Sequence, residues 1–186
     1  REVVHSLCQY YCIDDQESVI NPEGMEGAKL SLDMLIIHGV ATRIHNTIKV
    51  VRSVPMDVQD VGFSGLCAAV SVLSPEQRKS GAVVLDIGGG TTDYAVFAGD
   101  VMASAGSVGV GGDHITNDVS LAFNVSTARA EQLKRESGCA TVDGSVGAKT
   151  VDVPGEMGFS AKPVSLKSLH TVINARADEL LTAVRK

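Results

Sequence analysis

Between residues 2 and 13 the chain reads EVVHSLCQYYCI, a run of β-branched and aromatic residues that predicts a strand. INPEGMEG follows, and its Pro22, Gly24 and Gly27 predict a loop. In AKLSLDMLIIHG apolar side chains alternate through Leu30, Leu32 and Met34 before becoming continuous, the pattern of a strand entering a buried sheet. ATRIHNTIKVVRS then sets Ile44, Ile48 and Val51 at helical spacing. The first sixty residues thus predict a small sheet with one amphipathic helix.

Further along, VQDVGFSG predicts a short strand ending at glycine, and LCAAVSVLSPEQRKSG a helix followed by a charged surface link. AVVLDI reads as a strand, and DYAVFAGDVMASAGS continues into a hairpin with AGD as its turn. GVGGDHITNDVSLAF opens on glycines and carries Ile115, Val119 and Phe123 on one helical face. Ser126 or Thr127 can cap the next helix and Gly138 can end it. TVDGSVGAKTVDVPGEMGFSAKP reads as strand and loop, and a last helix carries Leu166, Leu169, Ile173, Leu180 and Val184 at helical spacing. The chain has no low-complexity tract and no internal repeat.

Composition narrows the class. With 186 residues the chain holds one large domain or two small ones, and two are expected. A hydrophobic share of 44% with only 4% aromatic and no Trp means a core of Val, Leu, Ile and Ala. The net charge of −6, without a cluster of Lys and Arg, argues against nucleic acid or an acidic membrane surface as partner. No apolar run approaches the ~20 residues that cross a bilayer. Cys8, Cys12, Cys67 and Cys139 lack the paired spacing of a zinc site and read as reduced cytosolic thiols. Cys8 and Cys12 are expected as packed strand positions, a shared disulfide or metal being the alternative. The five His residues show no metal-binding spacing. Arg1 with no leader behind it suggests an internal fragment.

The candidate chemistry lies in VVLDIGGGTTD, residues 83 to 93. Three successive glycines leave backbone N–H groups uncovered, which makes a nest for an anion. Gly88, Gly89 and Gly90 would form it, with Thr91 and Thr92 adding hydroxyl donors to the rim. Asp86 would repel a bare phosphate, so its presence calls for a cation, and a Mg²⁺ needs one or two carboxylates beside phosphate oxygens. The order is neither a P-loop, which needs Lys and Ser or Thr before a helix, nor the dinucleotide fingerprint. The bland alternative is a glycine turn between strands with an exposed acid. Downstream, Gly111, Gly112 and Asp113 stand at a helix start, where free amides and the dipole favour an anion. Glu131 and Lys134, three apart, share a helix face, which also suits an ordinary solvated pair.

The DIGGGTTD segment resembles the second phosphate loop of the actin, sugar-kinase and chaperone ATPase superfamily. More closely, VVLDIGGGTTDYAVFAGD, VGVGGDHITNDVSLAF and ARAEQLKRESGCA, in that order, are similar to segments of the bacterial FtsA cell-division family. VVHSLCQYYCIDDQESVINPEGMEGAKLSLDMLII resembles that family's extra subdomain 1C, and LHTVINARADELLTAVRK its helix in subdomain 2B.

The resemblance implies an α/β actin-like ATPase lobe of ribonuclease H-like type with a small α+β subdomain, incomplete at both ends. Residues 1–54 would be a 1C-like (SHS2-type) interaction module, 55–80 a strand and helix of 1A, 81–126 subdomain 2A with the phosphate-2 loop, and 127–186 subdomain 2B. It also implies ATP and Mg²⁺ as ligands, with Glu131 and Lys134 on the ribose and adenine edge. It further implies self-assembly into filaments, attachment of FtsZ to the cytoplasmic face of the inner membrane at the division site, and recruitment of later divisome proteins through residues 1–54. In the family the membrane contact is made by a C-terminal helix that these residues do not include. The first phosphate loop and the adenine-binding glycine loop are likewise outside them, so weak ATP affinity is expected. SGLCAAVSVL contains no acid, so no catalytic base is named and hydrolysis is expected to be weak or absent. Asp86 is the metal candidate, and Asp93 at most a metal or water-positioning one. The alternatives are a PilM-type pilus-assembly ATPase, a sugar kinase or other phosphotransferase, and an interaction module with a non-functional nucleotide lobe.

Overall fold

The computed structural model describes residues 1–99, 101–142, 146–155, 158 and 160–185. The chain forms two compact units, one of Arg1–Asp86 with Asp93–Gly106, the other of Ile87–Thr92 with Ser107–Lys186.

The first unit begins with β1 (Glu2–Ile13), β2 (Gln16–Val19) and β3 (Leu30–Gly39), which pair antiparallel in the order β2-β1-β3. The long β1–β3 ladder runs from Glu2 opposite Gly39 to Ile13 opposite Leu30, with two register shifts. At its open end Asp14 adopts φ 49° and its carboxylate accepts the amides of Lys29 at 2.8 Å and Ala28 at 3.2 Å. That short acid closes the INPEGMEG loop, because Asp tolerates the left-handed region and can bond its neighbours' backbone.

The sheet is not buried on both faces, contrary to the expectation for residues 30–39. Leu35, Ile37 and Leu7 pack inward against Ala69, Ala95, Phe97 and Met102. Leu30, Leu32, Met34 and Ile36 alternate with them and are exposed, at 61, 44, 46 and 43%. The period of two sends every second residue of this edge strand outward. Cys8 is exposed as well, so it is a strand residue but not a packed one.

Helix α1 (Ala41–Arg52) turns Ile44, Ile48 and Val51 to its half-buried side, as their spacing predicts. The strand expected at VQDVGFSG is absent, and the segment is irregular up to α2 (Ser64–Val72). Side chains take the donors that a ladder would need: Val61 N–H goes to Asp60 Oδ1 at 2.7 Å and Phe63 N–H to His5 Nε2 at 2.9 Å. The expected charged link is also ordered, as α3 (Pro75–Ser80). Ser74 and Gln77 form a reciprocal capping box, with distances of 2.8 and 3.3 Å, and Pro75 supplies the preset first turn. Ser74→Ala is expected to cost about 1 kcal/mol, read as a lower urea midpoint with an unchanged slope.

The strands β4 (Ala82–Ile87), β5 (Thr92–Ala98) and β6 (Val101–Val108) form a second sheet in that order, carried mostly by the first unit. Gly99, at φ 64°, sits in the expected hairpin turn, while Asp100 lies outside the described residues.

The second unit holds α4 (Gly112–Phe123), α5 (Thr127–Ser137), the antiparallel pair β7 (Thr150–Val153) and β8 (Lys162–Ser165), and α6 (Leu166–Arg185). Within the expected strand and loop of 141–163, residues 143–145, 156, 157 and 159 lie outside the described residues. Ser126 caps α5 by accepting from Arg129 N–H, and Gly138 follows its last turn. The core joins Val119 of α4, Ala130 and Leu133 of α5, Val153, Val164, and Leu169 and Ile173 of α6. Arg176 ties α6 to α4 through both oxygens of Asp118, at 2.6 and 3.0 Å. Its own proton is held more firmly by that carboxylate. The buried apolar residues are Val, Leu, Ile and Ala apart from Phe97 and Met102, as the scarcity of aromatics requires.

Candidate functional site

The three glycines form a narrow loop. Gly88 N–H donates to the Thr91 carbonyl at 2.9 Å, which leaves Gly89 and Gly90 at the tip. The amides of these two make no hydrogen bond with the described residues. Around them Gly88, Gly112 and Asp113 are committed. The Gly88 carbonyl accepts Gly112 N–H at 2.9 Å and the Gly89 carbonyl accepts Asp113 N–H at 2.8 Å, so the loop is locked onto the first turn of α4. Gly111 lies so close beneath that a Cβ there would stand 2.5 Å from the Gly88 carbonyl oxygen.

This lock revises two expectations. The start of α4 does not present free amides, because those of Gly112 and Asp113 already serve the loop carbonyls. Gly111 N–H donates to His114 Nδ1 and His114 N–H to the Gly111 carbonyl, both at 3.1 Å. Carbonyl oxygens and an imidazole thus occupy the place proposed for an anion. Gly111 and Gly112 act as a platform beneath the loop, and Asp113 leans its carboxylate beside Gly89, 3.0 Å from where a Cβ would be. Thr92 is likewise no rim donor. Its side chain is fully buried and its hydroxyl donates to the Val110 carbonyl at 2.8 Å, binding the two glycine segments together. Thr91 remains exposed.

Of the two acids, Asp86 is exposed on β4 and its carboxylate has no hydrogen bond or ion pair with the described residues. It is therefore available to a hydrated Mg²⁺, which retains waters and takes few carboxylates. Asp93 accepts a very short hydrogen bond from the Ser64 hydroxyl at the start of α2. It thereby holds that helix, which favours negative charge at its N-terminus.

Glu131 and Lys134 are not an idle surface pair. Lys134 Nζ donates to Glu131 Oε2 at 2.5 Å, to Thr116 Oγ1 at 2.8 Å and to the Gly112 carbonyl at 3.2 Å. An ammonium has three donors, and all three are used within the second unit. Lys134 is a brace from α5 to the start of α4 and has no donor left for a ligand, which corrects its expected ligand role. Glu131 also accepts from Thr116 Oγ1 at 2.5 Å, again on Oε2. Oε1 has no partner among the described residues. Lys134 first, then Thr116, hold the Glu131 carboxyl below its ordinary range. The side chain is 41% exposed, and it borders a surface hollow of about 480 Å³ shared with Ala128, Gln132, Arg135 and Glu136.

Thr116 is the residue that the motif reading missed. It is 4% exposed and stands one helical turn after Gly112, whose carbonyl lies 3.1 Å from its hydroxyl. The available signal was a hydroxyl at i+4 from a glycine helix start, on the helix face of Val119 and Ile115.

The family model described as "Cell division protein FtsA" matches residues 83–184, and that of the "SHS2 domain inserted in FTSA" matches residues 1–38. The chain belongs to the FtsA family. It is 33% identical to the cell division protein FtsA of Pseudomonas aeruginosa over 185 residues, 100% of this chain and 44% of that protein. Escherichia coli FtsA is also 33% identical, over 99% of this chain and 44% of its own length. For Bacillus subtilis FtsA the identity is 28%, with 98 and 41% covered. The chain thus spans less than half the length of these FtsA relatives. Among solved structures it is similar to MreB5 of Spiroplasma citri bound to ADP, with a TM-score of 0.62, 17% identity, and 78% of this chain and 47% of that one covered. The PilM–PilN type IV pilus biogenesis complex gives a TM-score of 0.56 at 18% identity, covering 87 and 40%. These likenesses establish the actin-like ATPase fold. No helix among the described residues is long and apolar enough to cross a membrane.

Proposed function

We propose that this FtsA-family chain contributes the second phosphate loop and the Glu131 face of an ATP site in an actin-like cell-division scaffold. The observation that carries the reading is the loop tip, where the Gly89 and Gly90 amides stand open while those of Gly88, Gly112 and Asp113 are locked. Such a preset pair of donors suits a phosphate oxygen. Asp86 would hold Mg²⁺ through its waters, the cation offsetting the repulsion of its carboxylate for phosphate. MreB5 of Spiroplasma citri has been solved bound to ADP and bound to AMPPNP, which supports a nucleotide as the ligand. Weak or absent hydrolysis belongs to this reading, since α2 has no acid in its first turn and Asp93 accepts from Ser64.

In the whole protein this site would gate assembly into filaments that attach FtsZ to the cytoplasmic face of the membrane at the division site. Residues 1–54 would form the SHS2-type module that meets later divisome proteins, a role supported by the exposed apolar row of β3. Residues 55–80, 81–126 and 127–186 would then belong to subdomains 1A, 2A and 2B.

Ligand-observed NMR with ATP, with and without Mg²⁺, tests the site at millimolar affinities. Saturation transfer to ATP is expected with Mg²⁺, and Asp86→Ala should weaken it at least tenfold, the scale of one charge-assisted contact. Binding that ignores both Mg²⁺ and Asp86 would overturn the phosphate-loop assignment.

A further inference from the structure

The Glu131–Lys134 pair is organised around a third side chain. The Thr116 hydroxyl has one proton and two lone pairs. It lies 2.5 Å from Glu131 Oε2 and 3.1 Å from the Gly112 carbonyl. The shorter, charge-assisted bond takes the proton. Lys134 then donates to the oxygen from the other side at 2.8 Å. Three helix-borne groups thus form a closed triangle, since Lys134 also reaches Glu131 directly. Both partners meet Glu131 on the same oxygen, and the Glu131 residue borders the hollow along α5.

We propose that Thr116 is a positioning residue for nucleotide selection: by pinning Oε2 together with Lys134 it leaves Oε1 of Glu131 to accept from a ribose hydroxyl, so that preference for a ribonucleotide over its 2′-deoxy form depends on Thr116. This rests on the ATP reading above and adds a residue to it. Thr116 touches no ligand itself. Replacing it with Val keeps the volume and removes the hydroxyl, which leaves one Lys134 donor unpaired in a largely buried place and frees the carboxylate to rotate. Serine keeps the hydroxyl and loses only a methyl group.

The test compares the wild-type chain with Thr116→Val and Thr116→Ser, using ligand-observed NMR titrations with Mg²⁺-ATP and Mg²⁺-2′-deoxy-ATP. A carbon-detected pH titration of the Glu131 carboxyl accompanies them. The wild type is expected to prefer ATP about tenfold, the worth of one hydrogen bond to a charged acceptor. Thr116→Val should reduce this to about twofold or less, and Thr116→Ser should retain most of it. The Glu131 midpoint should rise toward the ordinary carboxylate range in the Val variant and not in the Ser variant. The sign follows from a depressed native pKa: the stabilisation is present above the ordinary value, roughly pH 4, and is lost as pH falls through the native one. If the wild type binds ATP and the Val variant keeps both preference and midpoint, Thr116 is only a core residue and this proposal fails alone. Equal binding of the two nucleotides by the wild type also overturns it. A wild type that binds neither removes the ATP reading and this proposal with it.

Discussion

Gly111→Ala is expected to break the lock between the glycine loop and α4, lowering the stability of the second unit by about 2–4 kcal/mol. The reason is steric and local. The φ of Gly111 is −157°, extended backbone that any residue adopts, so conformational freedom is not the issue. What matters is the space above it, where an added Cβ would stand 2.5 Å from the Gly88 carbonyl oxygen and closer still to that of Gly89. Those two oxygens accept from Gly112 and Asp113 at 2.9 and 2.8 Å. Backbone cannot rotate away as a side-chain tip can, so relief requires lengthening both bonds. Amide hydrogen exchange reads this directly. Gly112 and Asp113 should lose protection in the alanine variant, well beyond any change at α6. Gly90→Ala is the matched control, because nothing lies within 4 Å of its Cβ position, and surface changes of that kind stay within about 0.5 kcal/mol. If Gly111→Ala were as mild, the carbonyl–amide lock would not be what shapes the loop.

The elements of this fold were legible where hydrophobic period and caps agree. The β1 run, the Ile44–Ile48–Val51 stripe, the Ser126 cap and the α6 stripe all form as their spacing predicts. Legibility failed where a side chain takes over a backbone partner. Val61 and Phe63 read as strand residues, yet their amides go to Asp60 and His5, the latter 58 positions away and invisible to any local window. Ser74-Pro75-Glu76-Gln77 carried a full capping-box signal that its charged character masked.

The same division holds at the site. The glycine motifs mark the loop in one dimension, because closely approaching backbones need them. Which amides remain open, however, follows from long-range bonds such as Gly112 N–H to Gly88 O. Thr92 and Lys134 had the right chemistry for a ligand and are turned to internal partners instead. A donor's presence can be read from sequence, but its commitment cannot.

Leu169→Ala is expected to be the most damaging single truncation in the second unit, at about 3 kcal/mol within the 2–5 range for leucine, or roughly 10–20 °C in Tm for a unit of this size. Leu169 is fully buried and belongs to the cluster that holds Val119 of α4 and Ala130 and Leu133 of α5. Truncation removes the apolar transfer energy and leaves a void that close-packed neighbours fill only partly. Leu181→Ala on the same helix is the control, since Leu181 is 53% exposed and its loss should shift Tm by no more than about 3 °C. The functional consequence follows from what the cluster aligns. The helix carrying Thr116 and the helix carrying Glu131 and Lys134 meet over these apolar contacts, while their polar triangle spans bonds of 2.5 to 2.8 Å. Such short bonds survive only if the helices cannot slide. The Leu169 variant should therefore also show a raised Glu131 midpoint at temperatures well below its melt, whereas Leu181→Ala should not. A large fall in Tm with an unmoved midpoint would mean that the triangle aligns itself and the core merely supports it.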